Sequence, residues 1–419
     1  MISVLVIPTA AAADSRRPSP ILWPEFVRRL RAGHSEATPA GHIPLMRVAV
    51  VTESFLPQVN GVTNTVCRIL EHLAAQGHEA LLVAPGPGPE SYAGFPVVAV
   101  PGVGLPGYRE FKLGLPTRRV ERILRAFQPD LVHLASPIAL GAAGARAARR
   151  IGVPCVAVFQ TDIAGFARQY GFRGTDAMIW SWIRHIHRQA EVTLVPSRAS
   201  YDQLRGQGVP RLAMWARGVD AERFNPAHRD EQLRAWLLGD REVLVGYVGR
   251  LAGDKRVHLL AHLADLPRVR IVAVGDGPAA TSLRSLIPSA ALPGFLSGPA
   301  LSAAYASFDV FVHTGADDTF GQCVQEAMAS GVPVVAPAVG GPLDLVKPGH
   351  TGLLFEPEDT GDLRRQVSTL VENPELRAVY GLNARETVLA RSWASVCNEL
   401  LGHYRTALDP YPQLLPAAV

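Results

Sequence analysis

The sequence predicts an α/β protein of two parallel sheets, each covered by helices on both faces, with a cleft between the two halves. Three observations carry this. Short Val/Ile/Leu-rich runs alternate with longer amphipathic ones from Met46 onward, the pattern of strands buried on both faces and joined by crossover helices. The rhythm breaks once, over the turn-rich polar stretch Gly218 to Asp240, and then restarts, so there are two halves of similar size. At 419 residues, 48% hydrophobic and 19% charged, the chain has length for two or three domains and too much apolar content for bulk disorder.

The elements follow in order. Arg47 to Val51 reads as a buried strand and Val62 to Gln76 as a helix closed by Gly77. Strands are expected at Ala80 to Val83, Val97 to Val100, Leu131 to Leu134, Cys155 to Phe159 and Val192 to Val195, with helices between most of them. In the helix Thr117 to Phe127, Val120, Ile123, Leu124 and Phe127 form the buried stripe, and Arg118, Arg122 and Arg125 share another face. The second half brings strands at Val243 to Val248, Arg270 to Val274, Val310 to His313 and Pro333 to Ala336.

Residues 1–45 differ from the rest: Met1 to Ser15 is apolar and Arg16 to Ala40 mixes Arg, Pro and Ser. A signal peptide would want a basic start, which is missing. Two readings stay open, a disordered tail and a mis-called start ahead of a true Met46. Trp23 to Arg31 has the pattern of a short basic amphipathic helix. The expected divisions are therefore 1–45, 46–225, 226–395 and 396–419, the last a helix that packs back on the first lobe, followed by a tail.

Composition narrows the function. Forty-one Lys+Arg against 37 Asp+Glu is too even to make nucleic acid the default partner. No apolar run reaches the roughly 18 residues of a membrane span. The four cysteines have no C-x-x-C spacing, so neither a zinc site nor a disulfide framework is indicated, and a reducing cytoplasm suits them. Lys112, Lys255 and Lys347 are the only lysines, which makes a lysine inside a motif conspicuous.

Ligands of such sheets bind beyond the carboxyl ends of the strands, and three motifs lie there. The first is Ser54 to Val62, with Asn60 and Gly61 at a helix start. Glycine there lets a diphosphate approach free N–H groups at the positive end of the helix dipole; a plain tight turn is the alternative. It is not G-x-G-x-x-G, which argues against a dinucleotide. The second is Gly249-Arg250-Leu251-Ala252-Gly253-Asp254-Lys255. A guanidinium fork and a compact ammonium near a strand end can hold a diphosphate leaving group; lone surface cations are the alternative, weakened by the scarcity of lysine. The third runs from Asp318 to Glu326. The first acid lies in a turn and the second one to two helical turns further, facing the cleft, where they can accept hydrogen bonds from a sugar and a ribose. Phe320 and Gly321 would supply helix-start N–H groups. Acids that merely complement a helix dipole are the other reading, but Gly331 to Ala336 follows as a buried strand at the expected distance.

With these residues in view, the chain from Met46 to about Leu408 resembles the retaining glycosyltransferases of family 4, which have the GT-B architecture of two Rossmann-like domains. Within the family it is similar to actinobacterial GDP-mannose-dependent α-mannosyltransferases acting on lipid acceptors. The acid, seven residues, acid signature falls on Asp318 and Glu326, and Phe55 to Asn64, Arg217-Gly218-Val219-Asp220 and Gly275-Asp276-Gly277-Pro278 also match. The resemblance implies that Arg250 and Lys255 bind the donor diphosphate, that Glu326 binds the ribose and that Asp318 contacts the transferred sugar. It adds Gly61, Phe320, Gly321 and Gln322 to the donor side, and places Asn60, Gln160 and Asp162 toward the acceptor or the sugar. It implies a front-face path in which the departing diphosphate takes the acceptor proton, so that the protein's task is electrostatic. No cofactor is expected and, without an Asp-x-Asp motif, no metal; Asp317-Asp318 is the one tempting pair. The expected location is the cytoplasm, with peripheral contact to the anionic inner face of the cell membrane.

Two departures stand out. Asp318 is one methylene shorter than the family's usual Glu, and Phe159-Gln160-Thr161-Asp162 has Gln where many relatives carry a His facing the sugar. His133, at a strand end, reads as a satisfied core histidine. Two rivals remain: a UDP-sugar enzyme making another glycolipid, its base chosen around Gly275 to Pro278 and Phe295 to Gly298, and an epimerase or phosphorylase on the same fold. A pyridoxal-phosphate phosphorylase would need a Schiff-base lysine, and Lys255 already fits a phosphate. The acceptor would meet Pro101 to Gly114 and Ala164 to Thr175.

Overall fold

The computed structural model describes residues 45–105, 108–115, 118–135, 137–165 and 174–409. The expectations for residues 1–44, the Trp23 to Arg31 helix among them, and for the tail from 410 lie outside these. So does most of the stretch Ala164 to Thr175.

Every apolar run read as a strand forms one, within two residues at either end. The first lobe holds β1 (Arg47–Val51), β2 (Glu79–Pro85), β3 (Ser91–Tyr92), β4 (Phe95–Val100), β7 (Leu131–Leu134), β8 (Cys155–Val158), β9 (Val192–Val195) and β10 (Leu212–Met214), in the order β10-β9-β8-β7-β1-β2-β4-β3. All its pairings are parallel except β3 with β4. The second lobe holds β11 (Val243–Val248), β12 (Val269–Val274), β13 (Ala291–Gly294), β14 (Val310–Val312), β15 (Val334–Pro337) and β16 (Gly352–Phe355), in the order β13-β12-β11-β14-β15-β16. Both sheets reverse direction beside their first strand, the doubly wound arrangement whose ligands sit at the reversal.

The helices that matter below are α1 (Gly61–Ala75), α2 (Arg118–Phe127), α3 (Leu140–Ile151), α4 (Asp176–His187), α5 (Arg198–Gly206), α6 (Glu231–Leu238), α7 (Ala280–Leu286), α8 (Gly298–Ser307), α9 (Gln322–Ala329) and α10 (Pro342–Leu345). After α11 (Thr360–Glu372) and α12 (Pro374–Leu389), α13 (Trp393–Leu408) closes the described chain. A separate antiparallel hairpin joins β5 (Gly102–Leu105) to β6 (Tyr108–Gly114).

The structure departs from the sequence-based expectation in three places. The stretch Gly218 to Asp240, expected to be turns, contains α6, whose Asp230 caps it by accepting from the N–H groups of Gln232 and Leu233 at 2.9 Å. Only Leu237 of that helix is buried, so it shows little apolar period. The edge strands β10, β13 and β16 and the hairpin were not foreseen; β13 carries Pro293, which a sheet tolerates at an edge. The third-motif helix begins at Gln322, with Gly321 as its N-cap at φ 92°.

Among the described residues, buried clusters lie on the α1 side of the first sheet and on each face of the second, and a smaller one joins α4 and α5 to the first sheet through Trp180, Ile183, Val195 and Leu204. The first is completed from the far end of the chain. Val396, Leu400, Leu401 and Tyr404 of α13 pack among Val48, Val50, Ile69, Leu70 and Val156, each full burial contributing about 1.5–3 kcal/mol. Trp215 Nε1 donates to Val396 O at 2.9 Å. The chain thus crosses between lobes twice, and the crossings touch: Val219 N–H donates to Arg391 O at 2.9 Å. A Cβ on Gly218 would lie 2.6 Å from Trp393 Cα, so only glycine lets the two backbones approach.

Candidate active site

The loops that leave β1, β11 and β14, the strands beside the two reversals, carry the residues singled out in the sequence. The β1–α1 loop is fastened from within. Asn60 Oδ1 accepts from Thr63 N–H at 3.0 Å, capping α1, while Asn60 Nδ2 donates to Ser54 Oγ at 2.7 Å. Ser54 Oγ also meets Gln58 Oε1 at 2.9 Å and Thr63 Oγ1 at 3.1 Å. Asn60, expected toward the acceptor, therefore serves this loop. Gly61 opens the helix, and a Cβ there would meet nothing within 4 Å.

Glu53, which sequence reasoning missed, lies under the loop at 1% exposure. It accepts from Gly114 N–H at 2.9 Å at the end of the hairpin, and from Ala139 (2.6 Å), Leu140 and Gly141 (3.2 Å) at the start of α3. Burial pushes its pKa up to about 7, against those four N–H donors. Its partners lie 61 to 88 residues away, so no local pattern announces them.

In the β11 loop, Arg250 Nη2 donates to both carboxylate oxygens of Asp254, at 2.8 and 2.7 Å. The Gly275-Asp276-Gly277-Pro278 segment is its bed: Leu251 N–H donates to Asp276 O at 2.9 Å and Ala279 N–H to Leu251 O at 2.8 Å. A Cβ on Gly275 would lie 1.9 Å from Gly249 O, which accounts for glycine at that φ of 134°.

Lys255 Nζ contacts Asp318 Oδ1 directly. Asp318 Oδ2 lies 2.9 Å from His313 Nε2, and His313 Nδ1 lies 3.5 Å from Cys323 Sγ. Burial opposes charge throughout this cluster, yet Lys255 and His313 hold the Asp318 carboxyl well below the usual carboxylate range. Burial works against the Lys255 ammonium too, and Asp318 outweighs it. The Cys323 sulfur and Asp318 likewise overcome burial at His313 and raise its pKa. The residues expected on diphosphate and on sugar thus neutralise each other, and His313, 2% exposed, backs the shortened acid. The one sequence signal for His313 was a polar residue ending an otherwise apolar strand.

Further along α9, Glu326 Oε2 accepts from Tyr305 Oη at 3.0 Å. Burial pushes Glu326 up to about 7, against the Tyr305 hydrogen bond and the Arg223 charge. Phe320 is packed into the second-lobe core; because α9 starts two residues later, it contributes its ring rather than a helix-start N–H. Gln322 Nε2 donates to Gly218 O at 3.1 Å.

The lobes meet at the third motif. Thr319 Oγ1 donates to Gln160 O at 3.0 Å and Ser200 Oγ to Thr319 O at 3.4 Å. Gln160 Nε2 donates to Ala135 O at 2.6 Å, and its buried Oε1 has no partner among the described residues. Asp162 accepts from Gly165 N–H at 2.9 Å and from Gln203 Nε2 at 3.2 Å, fastening its own loop to α5. His133 is a core residue, its Nδ1 2.9 Å from Tyr404 Oη.

Two doubly wound lobes, with cations and acids gathered at the strand ends between them, define a glycosyltransferase of the GT-B class. The chain belongs to glycosyltransferase family 4. Residues 59–223 match the Glycosyltransferase Family 4 domain and residues 228–387 the Glycosyl transferases group 1 domain. A GDP-mannose-dependent alpha-mannosyltransferase of Mycobacterium tuberculosis is 50% identical over 86% of this chain and 96% of its own length. The protein of that name from Mycolicibacterium smegmatis is 49% identical over 87% and 98%. Among solved structures, Anabaena HepE in complex with UDP shares the fold, with a TM-score of 0.72 at 20% identity over 86% of this chain and all of that one.

Proposed function

We propose that the protein transfers mannose from GDP-mannose, with retention of configuration, to a lipid-linked acceptor. The observation that carries this is the Lys255–Asp318–His313 cluster at the reversal of the second sheet. Lys255 is the cation best placed for a diphosphate, and Asp318 the acid beside it for the sugar; Glu326 on the next turns of α9 takes the ribose. The second lobe binds the donor and the first the acceptor, whose hydroxyl proton goes to the departing diphosphate. The names of the 50% and 49% identical relatives support the choice of GDP-mannose.

A donor panel tests it. GDP should raise the melting temperature more than UDP or ADP, and GDP-mannose should label lipid extracted from membranes. Preference for UDP with no transfer from GDP-mannose would overturn the reading. Because Lys255, Arg250 and the α1 start supply the charge, transfer should persist in EDTA; loss that Mn²⁺ or Mg²⁺ restores would contradict this.

An enzyme with such an acceptor works at the cytoplasmic face of the cell membrane. Among the described residues no helix is long and apolar enough to cross it, and on this reading the contact is peripheral. Arg118, Arg122 and Arg125 on α2 are exposed. Glu121 takes up part of this charge, pairing with Arg125 and Arg150 at 2.9 Å. Each remaining cation offers about 1 kcal/mol toward anionic lipid. Flotation with anionic vesicles should weaken in salt and in Arg118→Glu/Arg122→Glu; binding indifferent to both would remove α2 from the account.

A further inference from the structure

Arg217 lies on the first crossing between the lobes and is 6% exposed. Its Nη1 donates to Gly61 O, the first carbonyl of α1, at 3.2 Å. Burial alone acts on its pKa, lowering it to about 10, with no neighbouring acid to offset this. Arg68, which faces the same crossing, does have acids, bridging Glu71 at 3.2 Å and Asp220 at 3.0 Å. A buried guanidinium whose partner is one carbonyl is costly for a fold to keep.

The surroundings say what would compensate it. Arg217 is held from the second lobe, where Gln325 Nε2 on α9 donates to Arg217 O at 3.1 Å, one residue before Glu326. It reaches the first lobe at the carbonyl of the first residue of α1, alongside the turn whose free N–H groups favour an anion, and a Cβ at Gly61 would meet no described residue within 4 Å. We propose that Arg217 is a donor-binding residue: its guanidinium contacts the diphosphate of the nucleotide sugar at the α1 start, a third cation beside Lys255 and Arg250, supplied by the segment between the lobes. This rests on the nucleotide-sugar reading above. An arginine fork suits a diphosphate because it can engage two oxygens together.

The test compares Arg217→Met and Arg217→Gln with the unaltered chain, reading melting temperature without ligand and affinity for GDP and UDP by calorimetry. A ligand-binding arginine with no acid partner should cost the empty protein little when replaced, so the Met variant should melt at or above the parent. Its affinity for the preferred diphosphate should fall about tenfold or more. Gln, which keeps a donor for Gly61 O but no charge, should show the same loss. An affinity within twofold of the parent in either folded variant would overturn the proposal and leave Arg217 as a latch. A parent that prefers UDP would instead sink the mannosyl reading and leave Arg217 to be judged on UDP; a parent that binds neither would sink both.

Discussion

Lys255 and Glu326 are both expected on the donor, but they touch parts of it that behave differently. Negative charge grows on the diphosphate as the glycosidic bond breaks, so the Lys255 contact strengthens toward the transition state. Lys255→Ala should lower kcat by more than it raises the donor KM, with a total loss of about 3 kcal/mol in kcat/KM. The ribose hydroxyls do not change, so Glu326→Gln should weaken donor binding and leave kcat near normal, the mark of uniform binding. Steady-state kinetics with the donor varied would show the roles to be reversed if Lys255→Ala moved only KM. The sequence made these residues legible through type and spacing: a rare lysine, and two acids eight apart after a strand. It could not show that Lys255 and Asp318 pair, that His313 backs the acid, or that Arg217 reaches across to Gly61 O. The first and last depend on contacts across 63 and 156 residues, and the role of His313 depends on its burial beside Asp318.

Between elements, the connecting device is Glu53. One carboxylate at the start of the loop after β1 caps α3 and receives the end of the hairpin. A glutamine side chain in its place would present an NH₂ where an acceptor is needed and leave buried N–H groups unpaired. Glu53→Gln should therefore cost about 2 kcal/mol or more in stability, measured by urea unfolding, with faster amide exchange at Ala139 to Gly141. Unchanged stability and exchange would mean that water replaces the carboxylate there. The central strands were legible because burial on both faces makes them continuous apolar runs. Edge strands β10, β13 and β16 are partly exposed, and β13 carries a proline, so they lack that signature. The helix α6 hid because a single buried leucine gives no period.

At the scale of the molecule, two buried histidines work against the fold in acid. His133 and His187 are buried, His187 Nδ1 lying 2.9 Å from Thr193 Oγ1. Burial lowers their pKa from 6.5 to about 3 and about 4 respectively. Between 6.5 and those values the unfolded chain holds protons that the folded one does not. Each histidine therefore lowers stability by about 1.4 kcal/mol per unit as pH drops through this window, while Glu53 and Glu326, which burial raises from 4.5 to about 7, take up protons in the folded chain over the same range and oppose the fall. His187→Gln should gain stability relative to the parent as pH drops from 6.5 to 4.5; urea midpoints that stay parallel to the parent's from pH 7 to 4.5 would contradict the assignment. The two-lobed plan was legible in the strand rhythm, and its joining was not, since one core is shared by residues 48 and 404. That sharing matters most while the chain is being made. The second lobe lies wholly inside the interval between the first lobe and the helix that completes it. At about 5–20 residues per second, a ribosome that has finished Trp215 needs roughly ten seconds or more to reach Tyr404. For that interval the apolar side of β1 and α1 stands without its cover, next to a newer lobe able to fold first, which makes the nascent first lobe a natural client for a holding chaperone.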